Sequence, residues 1–128
     1  MTTIEVTADN LQEQLQKGGI LLLDFWADWC GPCKSFESIY ESVSEANPDA
    51  IFGKVDTEAV PELSAAAGIS AIPTLIVFRD GVLVFSQAGA LPKPALEDVL
   101  QQVRDLDMER VREAAAEHPD HAPHPSGE

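Results

Sequence analysis

The sequence predicts an α/β fold in the order β-α-β-α-β-α-β-β-α, and three observations carry the prediction. Residues 20–27, ILLLDFWA, are apolar on both alternating faces, as a central strand covered by helices on either side must be. Up to Gly68, short apolar runs alternate with stretches of helical periodicity, the pattern of parallel β-α-β units. Beyond it, TLIVFR and VLVFSQ flank Asp80-Gly81, a two-residue turn signal for a β-hairpin. Parallel units therefore give way to an antiparallel pair.

Each element carries its own signature. Residues 4–6 read as a short strand, and a polar start at Thr7 leads into a helix with Leu11 and Leu15 spaced i, i+4, stopped by Gly18-Gly19. After the central strand, Phe36, Ile39, Tyr40 and Val43 form one stripe of a helix running on from Cys33, with Lys34, Glu37, Glu41 and Ser44 on its remaining surface. Residues 51–56, IFGKVD, give the next strand. Pro61 opens a short helix that Gly68 ends, matching the preference for proline first and glycine last. Leu96, Val99, Leu100 and Val103 outline a final helix after the hairpin.

Beyond Arg104 the character of the chain changes. Met108, Val111 and Ala115 continue a helix loosely, but Pro119, Pro123 and Pro125 forbid one further on. The folded domain is therefore expected at residues 1–107, and a C-terminal extension at 108–128, helical at its start and disordered in HPDHAPHPSGE. His118, His121 and His124 are spaced three apart, yet the prolines between them prevent a shared helical face, so a solvated tail is expected rather than a metal site.

Composition bounds the function. A chain of 128 residues fits one domain, since a core of roughly 100 residues is ordinary and a second would be undersized. No stretch approaches the ~20 consecutive apolar residues of a membrane helix, so a soluble protein is expected. MTTIEVTADNLQEQ has neither a basic start nor an apolar segment of roughly 7–15 residues, so the expectation is a cytoplasmic location. The net charge of −14 repels phosphate backbones and anionic lipid, which argues against nucleic-acid and membrane partners.

The two cysteines, Cys30 and Cys33, stand together where the central strand ends and a helix begins, with Pro32 in the first helical turn. Three residues of helix rise only about 4.5 Å, so the pair falls within the roughly 4.4–6.8 Å that a disulfide tolerates between Cα atoms. Free N–H groups and the positive end of the helix dipole favour the Cys30 thiolate, and redox chemistry at this pair further requires Cys30 reachable at the helix mouth with Cys33 shielded behind it. Three other readings compete. A structural disulfide across so short a loop yields only about 2 kcal/mol and would be reduced in the cytosol. Structural zinc needs four ligands, and two cysteines are the supply apart from the three distal histidines. Two buried core thiols are a third reading. The string Trp29-Cys30-Gly31-Pro32-Cys33 at a strand-to-helix junction favours redox chemistry over all three. Asp24, embedded in the apolar strand, is the other unusual residue: desolvation would raise its pKa and let it exchange a proton near neutral pH, while a salt bridge to Lys54 is an alternative reason for its presence.

DFWADWCGPCK resembles the active-site segment of bacterial-type cytoplasmic thioredoxins, and the similarity extends over roughly residues 4–107. Lys54 and Asp56 in GKVD, the Ile72-Pro73-Thr74 string, the Asp80-Gly81 turn and Gly89 in QAGAL fall in the same order as in that family. The resemblance implies a thioredoxin fold, with a central mixed five-stranded sheet flanked by four helices, and a dithiol that reduces disulfides in other proteins. It implies Cys30 as nucleophile, Cys33 as resolving thiol, Asp24 as general acid/base with Lys54 beside it as a further catalytic residue, and a cis bond before Pro73. Trp29, Gly31, Pro32, Ile72, Pro73, Gly89 and Ala90 would form the substrate-binding patch, with Trp26 as packing. No bound cofactor or metal is implied: electrons would come from NADPH through thioredoxin reductase. Ribonucleotide reductase, peroxiredoxins and methionine sulfoxide reductases are the implied targets of a monomeric protein. A thioredoxin-fold adaptor or holdase, binding partners through the apolar patch, is the alternative that the acidic surface and the extension allow. One position departs from the family pattern: Ser38 stands where a proline usually kinks the active-site helix, which predicts a straighter helix.

Overall fold

The computed structural model describes residues 3–117. In chain order its elements are β1 (Thr3–Glu5), α1 (Leu11–Gln16), β2 (Ile20–Trp26), α2 (Gly31–Ala46), β3 (Ala50–Asp56), α3 (Pro61–Ala67), β4 (Thr74–Arg79), β5 (Val82–Ala88), α4 (Lys93–Arg104) and α5 (Met108–Glu117). The five strands form one sheet in the order β1-β3-β2-β4-β5. β2 lies at its centre, parallel to β3 and antiparallel to β4, and β1 runs parallel to β3. The mixed sheet expected from the sequence is thus the sheet observed.

Alternation along β2 divides the core in two. Ile20 and Leu22 point to one face and join Phe36, Tyr40 and Val43 of α2 and Leu96, Leu100 and Val103 of α4. Leu21, Leu23 and Phe25 point to the other, where Leu11 and Leu15 of α1 and Leu63 of α3 pack with them. By the same alternation Asp24 shares the α2 face with Ile20 and Leu22. Each fully buried Leu, Val or Phe contributes about 1.5–3 kcal/mol, so a strand apolar on both faces can be stable only between two helical layers. At the hairpin, Asp80 and Gly81 both adopt positive φ (53° and 81°), the primed turn whose twist matches the flanking strands.

Side chains distant in sequence tie down the C-terminal elements. Arg79, at the end of β4, donates from Nη1 to the carbonyl oxygens of Val103, Arg104 and Leu106 at 2.6, 3.0 and 3.4 Å, satisfying acceptors at the end of α4. Arg104 forks onto Asp49, with Nε to Oδ2 and Nη2 to Oδ1 both 2.9 Å. α5 follows at once: Asp107 Oδ1 accepts from the N–H groups of Glu109 and Arg110, Met108 is buried, and Arg112 lies 3.9 Å from Asp80. The expected disordered segment at 118–128 lies outside the described residues. No helix among the described residues is long and apolar enough to cross a membrane.

Candidate active site

β2 delivers the chain to a turn in which the Cys30 N–H donates to the Ala27 carbonyl at 3.2 Å. Cys30 then serves as the N-cap of α2, in an extended conformation, with its sulfur accepting the backbone N–H of Cys33 at 3.2 Å. A cap must accept a hydrogen bond from the first turn, and here a sulfur takes the place usually held by a Ser or Asp oxygen. Pro32 fits the same turn because its missing N–H would have been unpaired. Cys30 and Cys33 are joined as a disulfide with their Cα atoms 5.3 Å apart. α2 continues unbroken from Gly31 to Ala46 through the exposed Ser38.

The sequence predicts a reachable Cys30 and a shielded Cys33. In the oxidised pair the two are buried almost equally, 4 % and 2 % exposed, so exposure does not separate them. Their surroundings do. Cys30 Sγ lies 3.8 Å from the Ile72 carbonyl oxygen, at the rim where the bond between Ile72 and Pro73 is cis. Cys33 lines a cleft of about 270 Å³ with Trp26, Asp28, Lys34, Glu37 and Lys54.

The remaining predicted contact residues gather around the first sulfur. Gly31 and Pro32 are exposed, Ile72 is half-buried and Pro73 is buried. Gly89 donates its N–H to the Pro73 carbonyl at 2.8 Å, which brings Gly89 and the exposed Ala90 to the same loop. Trp29 is 69 % exposed. Its indole N–H donates to Glu58 Oε2 at 2.8 Å, a contact that sequence reasoning missed because nothing local links the two positions.

Asp24 is fully buried, and neither carboxylate oxygen has a hydrogen-bond partner. Desolvation is the main cause that pushes its pKa up to about 7; Lys54 opposes the rise and Glu37 adds to it. A salt bridge between Asp24 and Lys54 is not what the structure contains. Lys54 Nζ lies instead 2.8 Å from Glu37 Oε2 and 4.7 Å from the centre of the Trp26 ring. The physical reason is hydration: the Glu37 side chain is 53 % exposed, so this pair keeps much of its water, whereas a pair with Asp24 would strip both charges. Trp26, read as packing, thus also floors the ammonium. The sequence pattern puts Glu37 outside the apolar stripe of its helix, yet i, i+4 spacing also sets it one turn from Cys33 on the same face. Among the described residues no cluster of three or more His, Cys, Asp or Glu could hold a metal ion. His118, His121 and His124 lie outside them.

A strand-to-helix dithiol facing a cis-proline loop, on a β1-β3-β2-β4-β5 sheet, can now be set beside known proteins. The thioredoxin family model matches residues 2–102. The chain belongs to the thioredoxin family. It is 56 % identical over 116 residues to a putative thioredoxin 2 of Streptomyces coelicolor, covering 91 % of this chain and 87 % of that one. A thioredoxin of Staphylococcus haemolyticus is 39 % identical over 103 residues, 80 % of this chain and 98 % of its own. Among solved structures, a mutant thioredoxin from Halobacterium salinarum superposes with a TM-score of 0.76 at 32 % identity, over 81 % of this chain and 92 % of that one. Because 116 aligned residues exceed the span up to residue 102, the Streptomyces relative also matches part of the segment beyond the family model. Membership fixes the chemistry as thiol-disulfide oxidoreduction on protein disulfides through the Cys30–Cys33 pair. Such C-x-x-C pairs are the standard example of a thiol activated by its surroundings, and the electrons reside on the two sulfurs, so the exchange itself requires no bound cofactor.

Proposed function

We propose that this thioredoxin reduces target disulfides with Cys30 as the attacking thiolate and Cys33 as the resolving thiol. The observation that carries the assignment is the Cys30 sulfur at the N-cap of α2, beside the carbonyl of the cis Ile72-Pro73 bond. In the reduced state the N–H of Cys33 and the helix dipole favour negative charge on that sulfur, the dipole contributing about 1–2 kcal/mol. Cys30 thiolate attacks one sulfur of the target disulfide, forms a mixed disulfide and expels the first target thiolate. Cys33 passes its proton to the Asp24 carboxylate, attacks Cys30 Sγ and expels the second, so two electrons reach the target and the Cys30–Cys33 bond closes. Asp24 is the acid/base of this step, Lys54 a charged neighbour that modulates it.

Trp29, Gly31, Pro32, Ile72, Pro73, Gly89 and Ala90 form the docking patch, where the Ile72 backbone pairs with an extended target segment. Residues 1–107 form the catalytic domain and 108–128 an extension to it. The protein acts as a cytoplasmic monomer recharged by NADPH through thioredoxin reductase, and serves ribonucleotide reductase, peroxiredoxins and methionine sulfoxide reductases. The test is insulin reduction with NADPH and the cognate reductase. Cys33→Ser should accumulate mixed disulfides through Cys30 while Cys30→Ser traps none; trapping by both variants alike would refute the division of roles.

A further inference from the structure

Asp24 of β2 and Lys54 of β3 are direct partners in the parallel register, on strands about 4.8 Å apart, and alternation places both on the α2 side of the sheet. The lysine therefore stands between two carboxylates, the buried Asp24 beside it and Glu37 on α2 above it. It has taken Glu37, at 2.8 Å, and left both oxygens of Asp24 without a partner. The same Glu37 and Lys54 line the cleft that opens onto Cys33. Other titratable groups nearby are Asp28 in the turn after β2, Lys34 and Tyr40 on α2, and Cys33 itself; β4 contributes only the apolar Leu75 opposite Asp24.

We propose that Glu37 is a positioning residue for the resolving half-reaction: by holding the Lys54 ammonium at the mouth of the cleft, it keeps that cation from pairing with Asp24 and leaves the Asp24 carboxyl available to Cys33. The inference rests on the assignment of Asp24 as the proton acceptor. An Asp24–Lys54 salt bridge would hold Asp24 as a fixed carboxylate with low basicity, poorly matched to a thiol proton. Glu37 prevents this by competing for the cation from a more hydrated position. It does not touch the reacting sulfurs; it acts through Lys54.

The test follows the Asp24 side-chain carboxyl by carbon NMR from pH 4 to 9 in the oxidised full chain. Wild type, Glu37→Gln, Lys54→Met and the double variant are compared. Glu37→Gln should lower the Asp24 midpoint by roughly one pH unit, because the freed ammonium turns to it. In the Lys54→Met background the same substitution should move it far less. No displacement in Glu37→Gln, or an equal displacement with and without Lys54, would overturn the proposal, the latter because Glu37 would then act through its own charge alone. A second readout separates this from the underlying assignment: stopped-flow release of the second thionitrobenzoate after reaction of the reduced chain with Ellman's reagent, which reports resolution by Cys33. Its pH midpoint should fall with the Asp24 midpoint in Glu37→Gln. A shifted titration with an unshifted resolving rate would overturn the proton-acceptor role of Asp24 and with it the catalytic meaning of Glu37.

Discussion

Asp24 sets a pH dependence that runs opposite to that of most carboxylates. Its pKa is about 7 in the folded chain against an ordinary 3.8, so between these values the native state holds a proton that the unfolded state has released. Stability is therefore unpenalised below about pH 4 and falls as pH rises toward 7, by about 4 kcal/mol in all at 1.36 kcal/mol per unit. Asp24→Asn keeps the shape and removes the titration. Urea unfolding of the oxidised proteins should show the variant gaining on the wild type from pH 4 to 8 by up to that amount; a difference independent of pH would refute the argument. On the proposed mechanism the same variant should also slow resolution at neutral pH, and the residue that costs stability would then be the one that supplies chemistry. At Trp29 the geometry predicts a smaller effect. Glu58→Gln weakens the charge-assisted bond to the indole N–H. It should change tryptophan fluorescence and raise KM for insulin, a few-fold at most, while Tm moves little because the pair is exposed; an unchanged spectrum would show that the bond does not hold in solution.

At the scale of elements, β3 carries the described glycine whose Cβ position is most crowded. A Cβ built on Gly53 would lie 2.6 Å from Val6 Cγ2 and 3.2 Å from the Leu22 carbonyl oxygen, and neither a fully buried β-branched side chain nor a sheet backbone can yield cheaply. Gly53 also offers its carbonyl oxygen to Tyr40 Oη at 2.8 Å, which fixes α2 against the sheet. Gly53→Ala should therefore destabilise by about 1–3 kcal/mol, the usual cost of overpacking, with chemical denaturation as the check; a loss below 0.5 kcal/mol would mean that β1 relaxes freely. Sequence reading located β3 by its apolar run but had no means of seeing this approach, which depends on β1 and β2 arriving on either side. The same distinction holds across the molecule. β2 and α2 were legible because burial on two faces, or on one stripe, repeats within a few residues. Arg79 on the end of α4, Glu58 on Trp29 and Glu37 on Lys54 were not, because each joins residues that only the fold brings together. The cis bond before Pro73 came from family resemblance, since its local sequence does not distinguish it from the commoner trans form.

The whole molecule separates its chemistry from its extension along the strand direction. The β2–β4 register runs from Phe25 opposite Thr74, at the dithiol end, to Ile20 opposite Arg79, about 17 Å away at the usual rise per residue. α5 is anchored at the far end, through Arg112 to Asp80 and through the buried Met108, next to the carbonyls that Arg79 holds. None of these contacts involves a residue of the active-site cleft or of the cis-proline loop. Ending the chain after Asp107 should thus remove the burial of one methionine, about 2 kcal/mol, and lower Tm by a few degrees. The kcat/KM for insulin reduction should stay within about twofold of the full chain, equivalent to some 0.4 kcal/mol. Thermal unfolding and steady-state reduction measured on the same preparations decide the matter. A truncated chain that keeps its Tm but loses activity would show that α5 reaches the targets themselves, whereas loss of Tm alone places its role in closing the far end of the fold.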